Sequence, residues 1–130
     1  MGERFDTSRP IYAQIVERLK AKILAGVYPP GGHLDSVRDL AAAAGVNPNT
    51  MQRALTELER DGLVYSQRTA GRFVTEDQSM IDAAKRGLAE RHIQDFLAAM
   101  GQLGYKREEI VALLRQETCK EGITDGGAGM

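Results

Sequence analysis

The 130-residue chain has a single cysteine, no tryptophan, and only four tyrosines and three phenylalanines. One thiol, Cys119, rules out an internal disulfide framework and suits a reducing compartment. With aromatics at 5%, the stacking platforms that hold single-stranded nucleic acid are not expected. No apolar run approaches the roughly 18–20 residues of a membrane-spanning helix. The opening Met1-Gly2-Glu3-Arg4-Phe5 lacks the apolar stretch of a secretion signal, so a cytoplasmic location is expected. An excess of one charge is missing too: 17 Lys and Arg face 18 Asp and Glu, for a net −1. Residues 1–76 carry ten basic against nine acidic side chains (+1), and residues 77–130 seven against nine (−2). The basic surplus of many DNA binders is therefore absent. A nucleic-acid reading must rest on where the charges lie.

Catalytic equipment is equally sparse. His33 and His92 are the only histidines, and neither stands at metal-ligand spacing from Cys119 or a carboxylate pair. Cys119 has no local general base, and phosphate-loop and dinucleotide fingerprints are lacking. The chain is expected not to be an enzyme and to hold no metal or cofactor.

What the sequence does contain is an ordered set of start and stop signals. Pro10 opens a helix, where its missing N–H costs nothing. Ile11, Ile15, Leu19 and Ile23 then recur every fourth residue, with Tyr12 and Val16 alongside, up to Gly26. Pro29-Pro30-Gly31-Gly32 is a turn. Ser36, with Asp39 three residues on, marks a second helix whose apolar stripe is Val37, Leu40, Ala41 and Ala44, ended by Gly45. Asn47 and Pro48 start a third helix running to Gly62, with Met51, Ala54, Leu55 and Leu58 on one face. Two short helices across a Gly-containing turn predict a helix-turn-helix. Leu63–Gln67 and Arg72–Thr75, around a polar turn with Gly71, predict a β-hairpin. The fold class is therefore mainly α with a small hairpin: a winged helix-turn-helix, followed by a short two-helix C-terminal segment.

The third helix has the polarity that groove entry requires. Opposite its apolar face lie Asn49, Arg53, Thr56 and Arg60, with Thr50 and Gln52 at the edges, whereas Glu57, Glu59 and Asp61 keep to the C-terminal half. The uncharged or positive leading end, with its aligned N–H groups, can approach a polyanion. Asn and Gln can pair with adenine edges and Arg with guanine. Asn49, Gln52 and Arg53 are thus candidate base readers. Arg38 is placed to contact backbone or base, and Arg68 and Arg72 flank Gly71 in the wing, where arginine can enter a minor groove. A winged helix used only for protein contacts is the competing reading.

These residues resemble the GntR family of bacterial regulators over residues 10–76. The shared string runs Pro10-Ile11-Tyr12-Ala13-Gln14-Ile15, Gly26, Pro30-Gly31, Leu34, Ser36, Arg38-Asp39-Leu40-Ala41 and Val46-Asn47-Pro48-Asn49-Thr50. It continues through Ala54-Leu55, Leu58, Asp61-Gly62-Leu63, Gly71 and Phe73-Val74. The Val-Asn-Pro-Asn-Thr string and the short C-terminus resemble the YtrA-like subfamily of small dimeric repressors. The resemblance implies DNA contacts at Ser36, Arg38, Asn47, Asn49, Thr50, Gln52 and Gly71. It also implies a repressor that controls a transporter operon. Two positions depart from the family pattern: Asp35 replaces the usual Pro, and the wing tip Arg68-Thr69-Ala70-Gly71-Arg72 has one Gly fewer.

Three segments are expected: a DNA-binding domain over 1–76, a dimerisation segment over 77–118 and a disordered tail over 119–130. In the middle segment, Ile81, Leu88, Ile93, Phe96, Leu97, Met100, Ile110 and Leu114 divide between packing and a two-fold interface. Gly101 to Gly104 separate its helices. Two helices cannot enclose a cavity of roughly 300 Å³ beside their own core. An effector pocket within one chain is therefore not expected. The expected partners are an inverted-repeat duplex and a second copy of the chain.

Overall fold

Lacking an N–H, Pro10 can end an extended segment (φ −56°, ψ 137°) and hand directly over to α1, Ile11–Leu24. In the computed structural model, which describes residues 4–121, there follow α2 (Val37–Ala44), α3 (Pro48–Arg60), β1 (Val64–Gln67), β2 (Gly71–Val74), α4 (Gln78–Gln102) and α5 (Arg107–Glu121). This is the winged-helix order expected from the sequence, with C-terminal helices after it. Both helices of the helix-turn-helix are capped as their sequences dictate. Ser36 Oγ accepts the Asp39 N–H (3.1 Å) at the start of α2, and Asn47 Oδ1 accepts the Asn49 N–H (2.7 Å) at the start of α3. Such caps contribute about 1 kcal/mol each. Between them Gly45 adopts φ 72°, a left-handed turn that side chains with a Cβ resist.

The core gathers around α3. Met51, Ala54, Leu55 and Leu58 are no more than 1% exposed, and α3 packs against α1, α2 and β1. Ile15, Leu19 and Ile23 of α1, Leu40, Ala41 and Ala44 of α2, and Leu63, Val64 and Val74 of the hairpin complete the same buried cluster. Among the described residues one polar side chain is also buried, Gln14, and its amide is satisfied. It accepts the Asp6 N–H (2.7 Å) and donates to the carbonyls of Asp6 (2.5 Å) and Arg9 (3.1 Å), tying the segment before α1 to the helix.

The hairpin pairs Val64 with Val74 and Gln67 with Gly71, antiparallel. Arg68, Thr69 and Ala70 form its three-residue turn, closed by Ala70 N–H to the Gln67 carbonyl (3.0 Å). Gly71, expected in the turn, is instead the first residue of β2, at φ 98°; three-residue hairpin loops place a left-handed residue there. The sequence reading missed a third extended segment. Gly31 N–H donates to the Val74 carbonyl, Leu34 N–H to that of Arg72, and Val74 N–H to that of Gly32 (2.9–3.0 Å). The stretch after Pro30 thereby lines the free edge of β2.

The chain divides into two compact units between Arg86 and Gly87, within α4. Ile81 belongs to the first and is 4% exposed. Gly101 is helical, so the break between α4 and α5 falls later than expected, at Leu103 and Gly104 (φ 93°). Helix α5 runs through Glu121, so the first three residues of the expected disordered tail are helical; the remainder of that expectation lies outside the described residues. Among the described residues no helix is long and apolar enough to cross a membrane.

Asp77 starts α4: its Oδ1 accepts from Ser79 Oγ (2.6 Å), Ser79 N–H (3.1 Å) and Met80 N–H (3.2 Å). The Ser79 hydroxyl first, and then the backbone N–H groups, hold its carboxyl below the ordinary value of 3.8. A depressed carboxyl pKa contributes stability that is complete above the unfolded value and fades as acid protonates the folded group. The protection of the Ser79 and Met80 amides, taken relative to their intrinsic exchange rates, is therefore expected to fall as acid protonates Asp77, and Asp77→Asn should remove that pH dependence.

Candidate nucleic-acid interface

The caps leave donors available toward an anion. A hydroxyl has one proton and an amide has two, whereas capping uses only the oxygen acceptors of Ser36 and Asn47. The Ser36 O–H and the Asn47 NH2 can therefore still donate outward. Both residues are exposed, as are Asn49, Gln52 and Arg53 on the next turn of α3, and Thr50 is half-buried. A wholly buried apolar face thus backs an exposed polar one on a single 13-residue helix.

The acidic residues of α3 are matched with arginines of the same region. Arg60 pairs with Glu57 (2.9 Å) and Arg72 Nε with Glu59 (2.8 Å), and Ser66 Oγ also donates to Glu59. Arg72 is only 19% exposed in its side chain. The pair fastens β2 to the C-terminal half of α3, and that contact, not the wing tip, is where the structure places Arg72. By contrast, Arg38, Arg53 and Arg68 meet no acidic side chain among the described residues, and all three are exposed. The near-zero net charge therefore conceals a local separation. Glu57 and Glu59 are matched toward the trailing end of α3, while arginines stay unmatched at its leading end, in α2 and at the wing tip.

Arg53 departs from the extended side chain expected of a base reader. Its guanidinium carbon lies 3.7 Å from the ring centroid of Tyr12, in the first turn of α1. In the wing, His33 Nε2 is 2.8 Å from the Ala70 carbonyl and its ring is 4.9 Å from that of Phe73, which stacks on Tyr65 at 5.7 Å. A Cβ on Gly71 would come within 2.9 Å of His33 Nε2. Contact and backbone angle together require glycine at 71. Sequence reasoning overlooked Tyr12, His33 and Glu59, because each acts through a partner 13 or more positions away.

The expected dimerisation residues separate into groups. Ile81 and Ile110 are buried, at 4% and 3% exposure, and so fall on the packing side of the expected division. Leu88, Leu97 and Met100 are half-buried. Ile93 (53%), Phe96 (38%) and Leu114 (46%) are open to solvent, as are Leu103, Tyr105 and Val111.

Residues 11–74 match the model of a family described as bacterial regulatory proteins, gntR family. Over 130 aligned residues the chain is 36% identical to the uncharacterized HTH-type transcriptional regulator YhcF of Bacillus subtilis, covering 98% of this chain and all of that protein. It is 42% identical over 71 residues to the HTH-type transcriptional repressor YtrA of the same organism, covering 55% of each. A GntR family transcriptional regulator from Listeria monocytogenes superposes with a TM-score of 0.81 at 39% identity, over 86% of this chain and 98% of that one. The DNA-binding domain of AraR, solved in complex with operator ORE1, gives a TM-score of 0.51 at 29% identity, over 58% of this chain and 93% of that one.

Proposed function

This chain belongs to the gntR family of bacterial regulatory proteins and is a transcriptional regulator with a winged-helix DNA-binding domain; from that premise we propose that it acts in the cytoplasm as a homodimeric repressor on an inverted-repeat operator. The observation that carries this reading is the two-sidedness of α3. Its buried face fixes the helix to the core, and its leading turns expose Asn49, Gln52 and unmatched positive charge. The leading end of α3 enters the major groove, where Asn49 and Gln52 read base edges. Ser36, Arg38, Asn47, Thr50 and Arg68 bind the phosphates that border it, and Gly71 allows the wing close approach. Arg72 takes part indirectly, by holding the wing to α3 through Glu59.

The apolar side chains that the second unit leaves in water cover each other in a two-fold pair, which sets two reading heads one helical turn apart on the duplex. The resemblance to YtrA-like repressors favours a transporter operon as the target.

Fluorescence anisotropy on a fragment of the gene's own upstream region, with competitor DNA present, tests this function. Saturable binding that survives a large excess of unrelated duplex is expected. Indifference to DNA sequence, or no binding, would leave the winged helix as a protein-contact module. Gln52→Ala should cost about 1–3 kcal/mol on the preferred duplex and relax selection at one base position per half-site. Unchanged selection would remove Gln52 from the readers.

A further inference from the structure

We infer that Tyr12 and Arg53 form a clamp for a DNA backbone phosphate, in which Tyr12 is the positioning residue and Arg53 supplies the charge. The inference rests on the regulator reading above and assigns Arg53 to the backbone rather than to a base. Three observations lead to it. The Arg53 guanidinium is stacked on the Tyr12 ring at 3.7 Å, so the side chain crosses the flank of α3 toward α1 instead of standing out from the helix. No carboxylate among the described residues neutralises it. The stack lines an open cleft of about 580 Å³ between the start of α1 and the leading turns of α3, bounded by Pro10, Ile11, Tyr12, Asn49, Thr50 and Arg53.

A stacked guanidinium uses its π-face and keeps its N–H edge free, the edge that pairs with phosphate oxygens. Stacking also fixes the rotamer before DNA arrives, so less side-chain freedom is lost on binding. Asn49 and Gln52 face the bases while Arg53 grips the strand beside them. Phosphate contacts fix register and carry no sequence information directly.

The test starts from duplexes enriched from a random 24-base-pair library by the wild-type protein, with affinities then measured on the winning duplex across a salt series. Arg53→Ala should weaken binding about tenfold. It should also reduce the slope of log affinity against log salt by about one per protomer and leave the enriched motif unchanged. Tyr12→Leu, which keeps apolar bulk without a π-face, should weaken binding about two- to fivefold. Tyr12→Phe should restore the wild-type value, and Tyr12→Leu should add nothing in the Arg53→Ala background. The upfield ring-current shift of the Arg53 δ-protons in the free protein should persist in Tyr12→Phe and vanish in Tyr12→Leu.

A motif relaxed at one base with an unaltered salt slope would make Arg53 a base reader and overturn the clamp. Additive Tyr12 and Arg53 losses, or failure of Tyr12→Phe to rescue, would overturn the positioning role. A wild-type protein that enriches no motif would overturn the regulator reading and the clamp with it.

Discussion

Glutamate at both Phe96 and Leu114 is expected to yield a folded monomer whose affinity for an inverted-repeat duplex is lower by about 10²–10⁴-fold. The two side chains lie on α4 and α5 and remain 38% and 46% exposed, in the company of Ile93 (53%) and Val111 (46%). Apolar area left in water costs about 25 cal/mol per Å² relative to its burial, and a second copy of the same surface offers that burial. An unpaired carboxylate in such a contact carries a desolvation penalty that excludes association. The winged helix should survive the change, because the first unit ends at Arg86 and holds its own core. The loss in affinity comes from avidity. Two coupled heads reach adjacent half-sites as one ligand, and uncoupled heads bind one weak half-site each. Sedimentation velocity at micromolar concentration, together with anisotropy on the same samples, checks both parts. A double variant that still dimerises and binds like wild type would place the interface elsewhere.

Leu55→Ala is expected to destabilise the first unit by about 2–5 kcal/mol. Leu55 is 1% exposed and stands between Met51 and Leu58 on the face of α3 that forms the centre of the core. Truncation removes three side-chain carbons and leaves a void that α3, anchored against α1, α2 and β1, cannot close. Against a total stability on the order of 5–15 kcal/mol, this is a large fraction, visible as a lower urea midpoint. The folded fraction should keep its base selection, since Leu55 faces away from the exposed side of α3. A cost below about 1 kcal/mol would mean that α3 is less firmly seated than its burial implies.

Local chemistry accounts for what the sequence made legible. Pro10, Ser36, Asn47 and Pro48 start helices because of which backbone groups they satisfy or lack. Gly45 and Gly62 follow them with φ of 72° and 84°, which few other residues adopt cheaply. The apolar stripe of α3 was readable because four buried positions recur at helical spacing. What stayed hidden depends on pairing at a distance. The strand-like stretch after Pro30 has no alternating pattern and owes its shape to the edge of β2. Glu59 and Arg72 are 13 positions apart, and Tyr12 and Arg53 lie 41 positions apart on different helices; neither spacing signals a contact. The persistence of α4 through Gly101 was also unreadable, because a glycine weakens a helix by only about 1 kcal/mol and the surrounding residues carry it through.

The same distinction explains how a nearly neutral chain can grip a polyanion. Glu57 and Glu59 would repel phosphate if bare, but each is held by an arginine of the first unit. Arg38, Arg53 and Arg68, around the leading end of α3 and the wing tip, keep positive charge that no carboxylate among the described residues matches. Summed charge is blind to that arrangement, and side-chain pairing reveals it.

The most direct measurement follows the backbone amides of the folded protein while an enriched duplex is added. Signals from Asn47 through Arg53, with Ser36 and Arg38, are expected to move in step with DNA concentration, and the C-terminal turns of α3 to shift far less. If duplex DNA left the amides of Asn49 to Arg53 where they were, or moved only those of α4 and α5, the leading end of α3 would not be what touches the groove.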